Sequence, residues 1–248
     1  MDKFNKLYES IMSEGEENPK FKKWFKGSKV VDAQGNPVVV YHGSPKGGFD
    51  TFDIEKTSNT SLMQKQGPGF YFTDKKNAST YTKAINKSSS RGSKSGLYDV
   101  YLSIKKPLVI SQRSRNITLE QTIKLFQNGD DKWFYTNWVA FDISGALYKD
   151  KRLTKDEINA LSDKEKGEMY GTLKHKSQYG DLQILEDIHR AYEDKTIMLK
   201  QMRKIFKADG IIFKDNIGYI YVAWEPTQIK SASDNNGDFS STNKNIYK

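Results

Sequence analysis

The stretch VVVYHGSPKGGFDTFD, residues 38–53, predicts a β-strand with an unusual end. Its three valines and Tyr41 are typical of a strand, and the strand runs into His42-Gly43-Ser44-Pro45. A glycine-rich turn and a second aromatic segment, Phe49 to Asp53, follow. A strand that ends on histidine and glycine is either an ordinary exit into a turn or one wall of a pocket mouth.

The composition indicates a basic protein with a real core. The 248 residues include 40 Lys and Arg against 31 Asp and Glu, which gives a formal net charge of +9, and 12% of them are aromatic. That aromatic share argues against wholesale disorder. The positive charge favours an acidic partner, with nucleic acid among the candidates, or else it only keeps a lysine-rich surface soluble.

Other features of the composition exclude whole classes of protein. The chain has no cysteine, so disulfides and thiolate metal sites are excluded, and three scattered histidines without paired spacing predict no metal site. No apolar run approaches the ~18 residues that a membrane span needs. The first residues lack the apolar region of a signal peptide. We therefore expect a soluble, cytoplasmic protein without membrane contact.

Strand patterns at both ends of the chain flank a helical middle. Residues 97–110 predict one long strand, and a hairpin is expected around residues 214–218. Residues 115–207 predict helices, with Thr118 and Thr154 as N-caps that each precede a Gln or Glu by three positions. The pattern predicts an α+β fold whose sheet is built from both ends of the sequence.

These patterns also suggest the domain organisation. Residues 1–19 are expected to form an N-terminal helix or arm, and residues 20–240 one domain with a helical insertion at about 115–207. Residues 241–248 are expected to form a C-terminal tail, the end of a polar coil that is exposed or lies over the surface.

Three fragments combine strand ends with aromatic or histidine-glycine pairs: VVYHGS (39–44), GPGFYFTDKKNASTY (67–81) and YIYVAWEPTQIKSA (219–232). A neutral histidine offers a donor and an acceptor to ribose hydroxyls, and a following glycine lets the backbone approach a flat ligand. Tyr71 and Tyr81 would supply faces for ring stacking. These parts suit a nicotinamide riboside better than a phosphate, and neither a GxGxxG nor a GxxxxGK[ST] motif is present.

In this order the fragments resemble the His-Tyr class of ADP-ribosyltransferases, the diphtheria-toxin and PARP-like group. YHGS resembles the histidine motif of that class, and GPGFYFTDKKNASTY resembles its G-x-G-x-Y-F segment. The strongest similarity is to the ADP-ribosyltransferase domains that phages and mobile elements carry in polyvalent proteins. It rests on SKVVDAQGNPVVVYHGS and YVAWEPTQIKSASDNNGDF and covers residues 20–110 and 208–240. It implies an ADP-ribosyltransferase-like split β-sheet core with a helical insertion.

The resemblance also implies a role for each matching residue. His42 would hold the ribose hydroxyls of NAD+, Gly43 would pair with the nicotinamide amide, and Tyr71 and Tyr81 would sandwich the ring. The loop at residues 46–66 would cover the dinucleotide. The full set of expected NAD+ contacts is His42, Gly43, Ser44, Phe70, Tyr71 and Tyr81.

One position departs from the pattern of the family. Many relatives have a glutamate just before the last central strand, and the alignment puts Ile220 there. His42-Tyr71-Ile220 resembles the His-Tyr-Ile triad of transferases that attach a single unit. Glu225 is an alternative source of the catalytic carboxylate, as is Asp215, and Gln228 either belongs to the site or anchors the last strand.

The resemblance therefore implies an NAD+-dependent mono-ADP-ribosyltransferase. It would transfer ADP-ribose to a host protein or nucleic acid with release of nicotinamide, as a phage or mobile-element effector in the host cytoplasm. Two alternatives stay open. One is a catalytically silent module that binds NAD+, ADP-ribose or RNA on the same scaffold, and the other is an NAD+ glycohydrolase with water as the acceptor.

Overall fold

The computed structural model describes residues 17–57, 67–83, 96–131, 147–148, 151–176, 180–215 and 218–248. The chain divides into two compact units. The first consists of residues 1–57, 69–108 and 209–248, and the second of residues 58–68 and 109–208. Strands dominate the first unit and helices the second, so the predicted α+β class is confirmed. No helix among the described residues is both long and apolar enough to cross a membrane.

Two sheets form the framework of the first unit. One has the strand order β1 (Val40–Ser44), β3 (Gly96–Leu102), β9 (Ile229–Ser231). The other has the order β2 (Phe70–Phe72), β8 (Gly218–Ala223), β7 (Gly210–Asp215), β4 (Pro107–Ser111), and the chain leaves the unit within β4. The hairpin of β7 and β8 confirms the one predicted around residues 214–218.

The two sheets of the first unit meet at one isolated bridge. Tyr41 and Thr73 exchange both backbone hydrogen bonds, at 2.8 and 3.0 Å. Beyond this bridge β1 and β2 are not paired as strands. Apolar side chains from both sheets and from the segment after β1 form one buried cluster, which includes Val40, Phe52, Phe70, Phe72, Tyr98, Val100 and Tyr221.

Two helices of the first unit pack around these sheets. Helix α1 (Pro19–Phe25) has Asn18 as its N-cap and proline at its first position, where the missing N–H costs nothing. Its apolar residues Phe21, Trp24 and Phe25 lie on one face and pack with Tyr101 and Phe239. Helix α2 (Lys75–Lys83) begins after Asp74, whose carboxylate accepts a hydrogen bond from the Asn77 amide.

The second unit is built from five described helices and a small hairpin. The helices are α3 (Leu119–Gln127), α4 (Lys155–Ala160), α5 (Asp163–Lys176), α6 (Asp181–His189) and α7 (Lys195–Phe206), and the hairpin joins β5 (Leu147–Tyr148) to β6 (Lys151–Arg152). Thr118 and Thr154 each cap a helix in a reciprocal capping box, as predicted. The predicted extent of the helical insertion, residues 115–207, stays a prediction.

The long strand expected at residues 97–110 is wrong, because the structure has two strands there. β3 ends at Leu102, and β4 starts at Pro107 in the other sheet. Between them the Lys105 and Lys106 amides donate to the Asp209 carboxylate at 2.9 and 2.7 Å. The alternating pattern runs across this corner without a break, so only the distant carboxylate reveals the turn.

The last residues of the chain are part of the first unit, where their polar composition predicted a coil that is exposed or lies over the surface. Ile246 is 1% exposed, and its carbonyl accepts from the Ser231 amide at 2.8 Å. The fully buried Lys230 donates to the carbonyls of Asn243 and Asn245 at 2.8 and 2.9 Å. Burial lowers the pKa of Lys230 to about 8, a shift that the nearby Asp238 carboxylate opposes.

Gln228 anchors the last strand through four hydrogen bonds to the backbone. Its Oε1 accepts from the amides of Trp224 and Glu225 at 3.0 and 2.8 Å. Its Nε2 donates to the carbonyls of Ser103 and Asp209 at 3.2 and 2.9 Å. Both the oxygen and the nitrogen of its side-chain amide thus bind backbone groups, which favours the anchoring role over membership of a site.

We expect Gln228→Leu to lower the free energy of unfolding by about 3 kcal/mol or more, because each buried polar group left unpaired costs about 1–3 kcal/mol. Chemical denaturation measures this change. Gln34→Leu is the matched control. Gln34 is exposed and lies in a turn, where its backbone amide donates to the Asp32 carboxylate, a hydrogen bond that leucine can also make. Equal stability of the two variants would contradict the anchoring role.

Candidate active site

The imidazole of His42 lies at the exit of β1 among four aromatic rings. Its centroid is 5.0 Å from Phe52, 5.6 Å from Phe72, 6.3 Å from Tyr98 and 6.4 Å from Phe49. The first two of these rings are buried, whereas His42 itself is partly exposed. The aromatic segment that follows the histidine in the sequence therefore packs back onto it.

One hydrogen bond fixes the tautomer of His42. Its Nδ1 is 2.8 Å from the backbone carbonyl oxygen of Tyr71. A carbonyl can only accept, so Nδ1 carries the proton and donates, and Nε2 of the neutral ring is an acceptor. Burial lowers the pKa of His42, and the Tyr71 carbonyl partly opposes this shift. The ring is therefore neutral at pH 7, and its Nε2 can accept a hydrogen bond from a ligand.

Gly43 is required by the close approach of helix α2. A Cβ at this position would lie 1.9 Å from the carbonyl oxygen of Ala78 and 3.2 Å from Cβ of Tyr81. Only glycine permits this contact, which brings Tyr81 directly against the end of β1. The sequence alone linked Gly43 and Tyr81 only through the family resemblance, and in the structure the two residues are in contact.

The backbone of Gly43 is directed away from β3. Tyr41 exchanges its hydrogen bonds with Thr73 on the other side of β1. Hydrogen-bonding direction alternates along an antiparallel strand, so the N–H and C=O of Gly43 point to the same side as those of Tyr41. A donor and an acceptor thus lie side by side at this sheet edge, in the arrangement that a primary carboxamide requires.

The side chains of Tyr71 and Tyr81 belong to the same face. Tyr71 lies two residues before Thr73, so its side chain is on the same face as Thr73 and the bridge partner of Thr73, Tyr41. The missing Cβ of Gly43 points to that face too, where α2 carries Tyr81. Burial raises the pKa of both tyrosines, so both phenols stay protonated.

The imidazole of His42 approaches from the opposite face. It contacts the ring of Phe72, which alternates with Tyr71 along β2, and it meets Tyr71 only at the backbone carbonyl. The edge of β1 at Gly43 therefore separates the imidazole on one side from the two phenols on the other. The roles expected for His42, Tyr71 and Tyr81 therefore require an NAD+ molecule that crosses this edge.

The remaining predicted residues lie in different surroundings. Phe70 is 2% exposed and part of the core, and the hydroxyl of Ser44 closes a turn by donating to the Lys46 carbonyl at 2.7 Å. Ile220 is 6% exposed and shares a face with Tyr71. Glu225 begins a short 3₁₀ turn at the far end of β8, about 16 Å along the chain from Ile220 at ~3.3 Å per residue.

Two predicted features fall partly outside the described residues. The proposed loop at 46–66 is described only to residue 57, and the Asp215 side chain is not described. Within the described part, Phe49 stacks on Tyr98 with centroids 4.4 Å apart, and the Tyr98 hydroxyl accepts from the Phe49 amide. The sequence did not single out Tyr98, because an aromatic residue in the middle of a strand is usually a core residue.

Comparison with known protein families assigns the chain. The model of the family described as ADP-ribosyltransferase in polyvalent proteins matches residues 32–239. This range contains β1, β2, α2 and β8, the elements that carry the candidate site. No curated protein and no solved structure matches the chain. The chain therefore belongs to the family of ADP-ribosyltransferases found in polyvalent proteins, and it is a transferase enzyme.

Proposed function

We propose that this protein transfers a single ADP-ribose unit from NAD+ to a macromolecular acceptor, with release of nicotinamide, by the chemistry of the His-Tyr class. One observation carries the proposal: α2 packs so tightly on Gly43 that only glycine fits, and this contact brings Tyr81, Gly43 and His42 to one strand end. The alternatives, a silent binding module and an NAD+ glycohydrolase, would use the same strand end.

Each residue has a role that its surroundings support. The N–H and C=O of Gly43 pair with the nicotinamide carboxamide, and Tyr81 and Tyr71 supply aromatic surface for the ring. Nε2 of His42 accepts a hydrogen bond from a ribose hydroxyl. Held in this way, the bond between nicotinamide and ribose breaks with its electron pair on the departing nicotinamide. The acceptor nucleophile attacks the anomeric carbon and loses a proton. Positioning and electrostatics supply most of the rate enhancement.

The side chain of Ile220 supports transfer of a single unit. It is apolar and buried, so it cannot hydrogen-bond the hydroxyl of an attached ADP-ribose and promote a second transfer. Glu225, which follows at the other end of β8, is poorly placed to replace a carboxylate at the Ile220 position. The polyvalent-protein setting of the family supports a phage or mobile-element effector that acts in the host cytoplasm.

A test uses NAD+ labelled in its adenylate half together with candidate acceptors. Label in the macromolecule and a mass increase of one ADP-ribose unit would support the proposal. Longer chains would contradict the role given to Ile220. Nicotinamide release without labelled macromolecule would identify a glycohydrolase. NAD+ binding by calorimetry without nicotinamide release would identify a silent module, which the apolar Ile220 position also favours.

The pH dependence of nicotinamide release reports on His42. Because burial holds the pKa of His42 below its ordinary value of 6.5, the ring stays neutral down to that pH. We expect kcat/KM to be constant from neutral pH to 6.5 and to fall at more acidic pH, since a protonated Nε2 cannot accept. The folded state disfavours the charged ring, so the unfolded state binds the proton more readily. The free energy of unfolding should therefore also decrease as pH falls below 6.5. A rate that rises as pH falls through 6.5 would contradict the acceptor role.

A further inference from the structure

Tyr219 presents a rigid aromatic ring to solvent. Its side chain is 46% exposed, and among the large hydrophobic residues exposed in the described part of the chain it is the only aromatic one. Its ring stacks on Tyr221 with centroids 6.0 Å apart and an interplanar angle of 21°. Tyr221 is buried in the core of the first unit. The exposed ring is therefore held in place by a buried one, which lowers the entropy cost of binding a flat partner.

A lysine accompanies this ring. Lys214 is the register partner of Tyr219 across the hairpin, it is exposed, and its Nζ is 5.8 Å from the Tyr219 ring centroid. No carboxylate in the described ranges forms an ion pair with it. An aromatic face and a positive charge thus occur at the same place.

The pair lies on the same face as the imidazole of His42. Tyr221 pairs with Phe72 in the β2–β8 register, and the Phe72 ring contacts His42 at 5.6 Å. Tyr219 precedes Tyr221 by two residues along β8, which keeps it on that face. Its carbonyl accepts a hydrogen bond from Oγ1 of Thr73, the residue that follows β2, at 3.0 Å.

The two groups together select one class of partner. A nucleotide has a π-face that stacks on tyrosine and a phosphate that pairs with lysine. An arginine or lysine side chain would be repelled by Lys214, and a carboxylate would leave the ring uncovered. The net charge of +9 favours a polyanion. We propose that Tyr219 and Lys214 form a platform that binds a base and its phosphate, so that the acceptor of ADP-ribose is a single-stranded nucleic acid. This inference rests on the proposed function.

The test measures binding of fluorescein-labelled RNA and DNA homopolymers by anisotropy. Base stacking contributes about 1–3 kcal/mol, so Tyr219→Ala should weaken binding about 5- to 150-fold. Tyr219→Phe should bind like the natural protein. Lys214→Gln should reduce the slope of log K against log salt by about one. Val109→Ser is the control, since Val109 is 53% exposed in β4 of the same chain and should not matter.

Two results would overturn the platform: no homopolymer binding by the natural protein at low salt, or equal binding by Tyr219→Ala. Nicotinamide release, measured separately, distinguishes this failure from failure of the proposed function. Tyr219-dependent binding without NAD+ cleavage would support the platform and contradict the transferase proposal. NAD+ cleavage with label on a protein, unaffected by Tyr219→Ala, would support the transferase proposal and contradict the platform.

Discussion

Replacement of Gly43 by alanine should abolish NAD+ cleavage and destabilise the first unit. The new Cβ would lie 1.9 Å from the Ala78 carbonyl oxygen, a backbone atom that cannot rotate away. Helix α2 would have to move outward, taking Tyr81 with it, and overpacking of this kind costs about 1–3 kcal/mol. We expect nicotinamide release to fall more than about 100-fold, because shifts near 1 Å have such effects on positioned groups.

Gly35→Ala controls for the general effect of losing a glycine. Gly35 lies in the turn that precedes β1 with φ of +88°, and a Cβ there meets nothing within 4 Å. It should cost only the strain of the left-handed conformation, about 1–2 kcal/mol, and leave nicotinamide release unchanged. Thermal denaturation and steady-state kinetics on both variants separate the two effects. Full activity in Gly43→Ala would refute the site at the end of β1.

The second large effect is expected for His42→Ala. Removing a positioned hydrogen-bonding group from an active site typically costs about 10²- to 10³-fold in rate, and we expect nicotinamide release to fall by this factor. The truncation also leaves a space among Phe52, Phe72 and Tyr98, so a lower melting temperature should accompany it. Calorimetric NAD+ titration shows whether binding or cleavage is lost.

His42→Leu separates the hydrogen-bonding role from the packing role of the side chain. Leucine fills more of the space than alanine does but has no acceptor, so it should restore part of the stability and none of the rate. His175→Ala, a change in α5 of the second unit, is the matched histidine control and should have the activity of the natural protein. Wild-type rates in a folded His42→Leu protein would show that Nε2 is not used.

Sequence reasoning succeeded where the signal is local. The capping boxes at Thr118 and Thr154 involve residues three apart, and the β7–β8 hairpin follows from two apolar runs around a short turn. The corner between β3 and β4 was missed because its cause, the Asp209 carboxylate, is far away in the chain. The anchoring of the polar C-terminal segment by Lys230 was missed for the same reason.

The candidate site shows the same division. The motif around His42 and Gly43 could be recognised, because its residues are adjacent. The tautomer of His42 could not, since the Tyr71 carbonyl is supplied by another strand. Nor could the stacked pair of Tyr219 and Tyr221, because alternating tyrosines in a strand do not reveal which face is covered.

The strand order β1-β3-β9 has a consequence for synthesis on the ribosome. Val100 in β3 pairs with Ser231 in β9, a partner more than half the chain away. β3 must therefore wait, with one edge unpaired, while residues 109–208 of the second unit are translated. Closing so long a loop slows folding, and an open strand edge is a template for aggregation. Nascent chains of this protein should therefore depend on chaperones until β9 emerges.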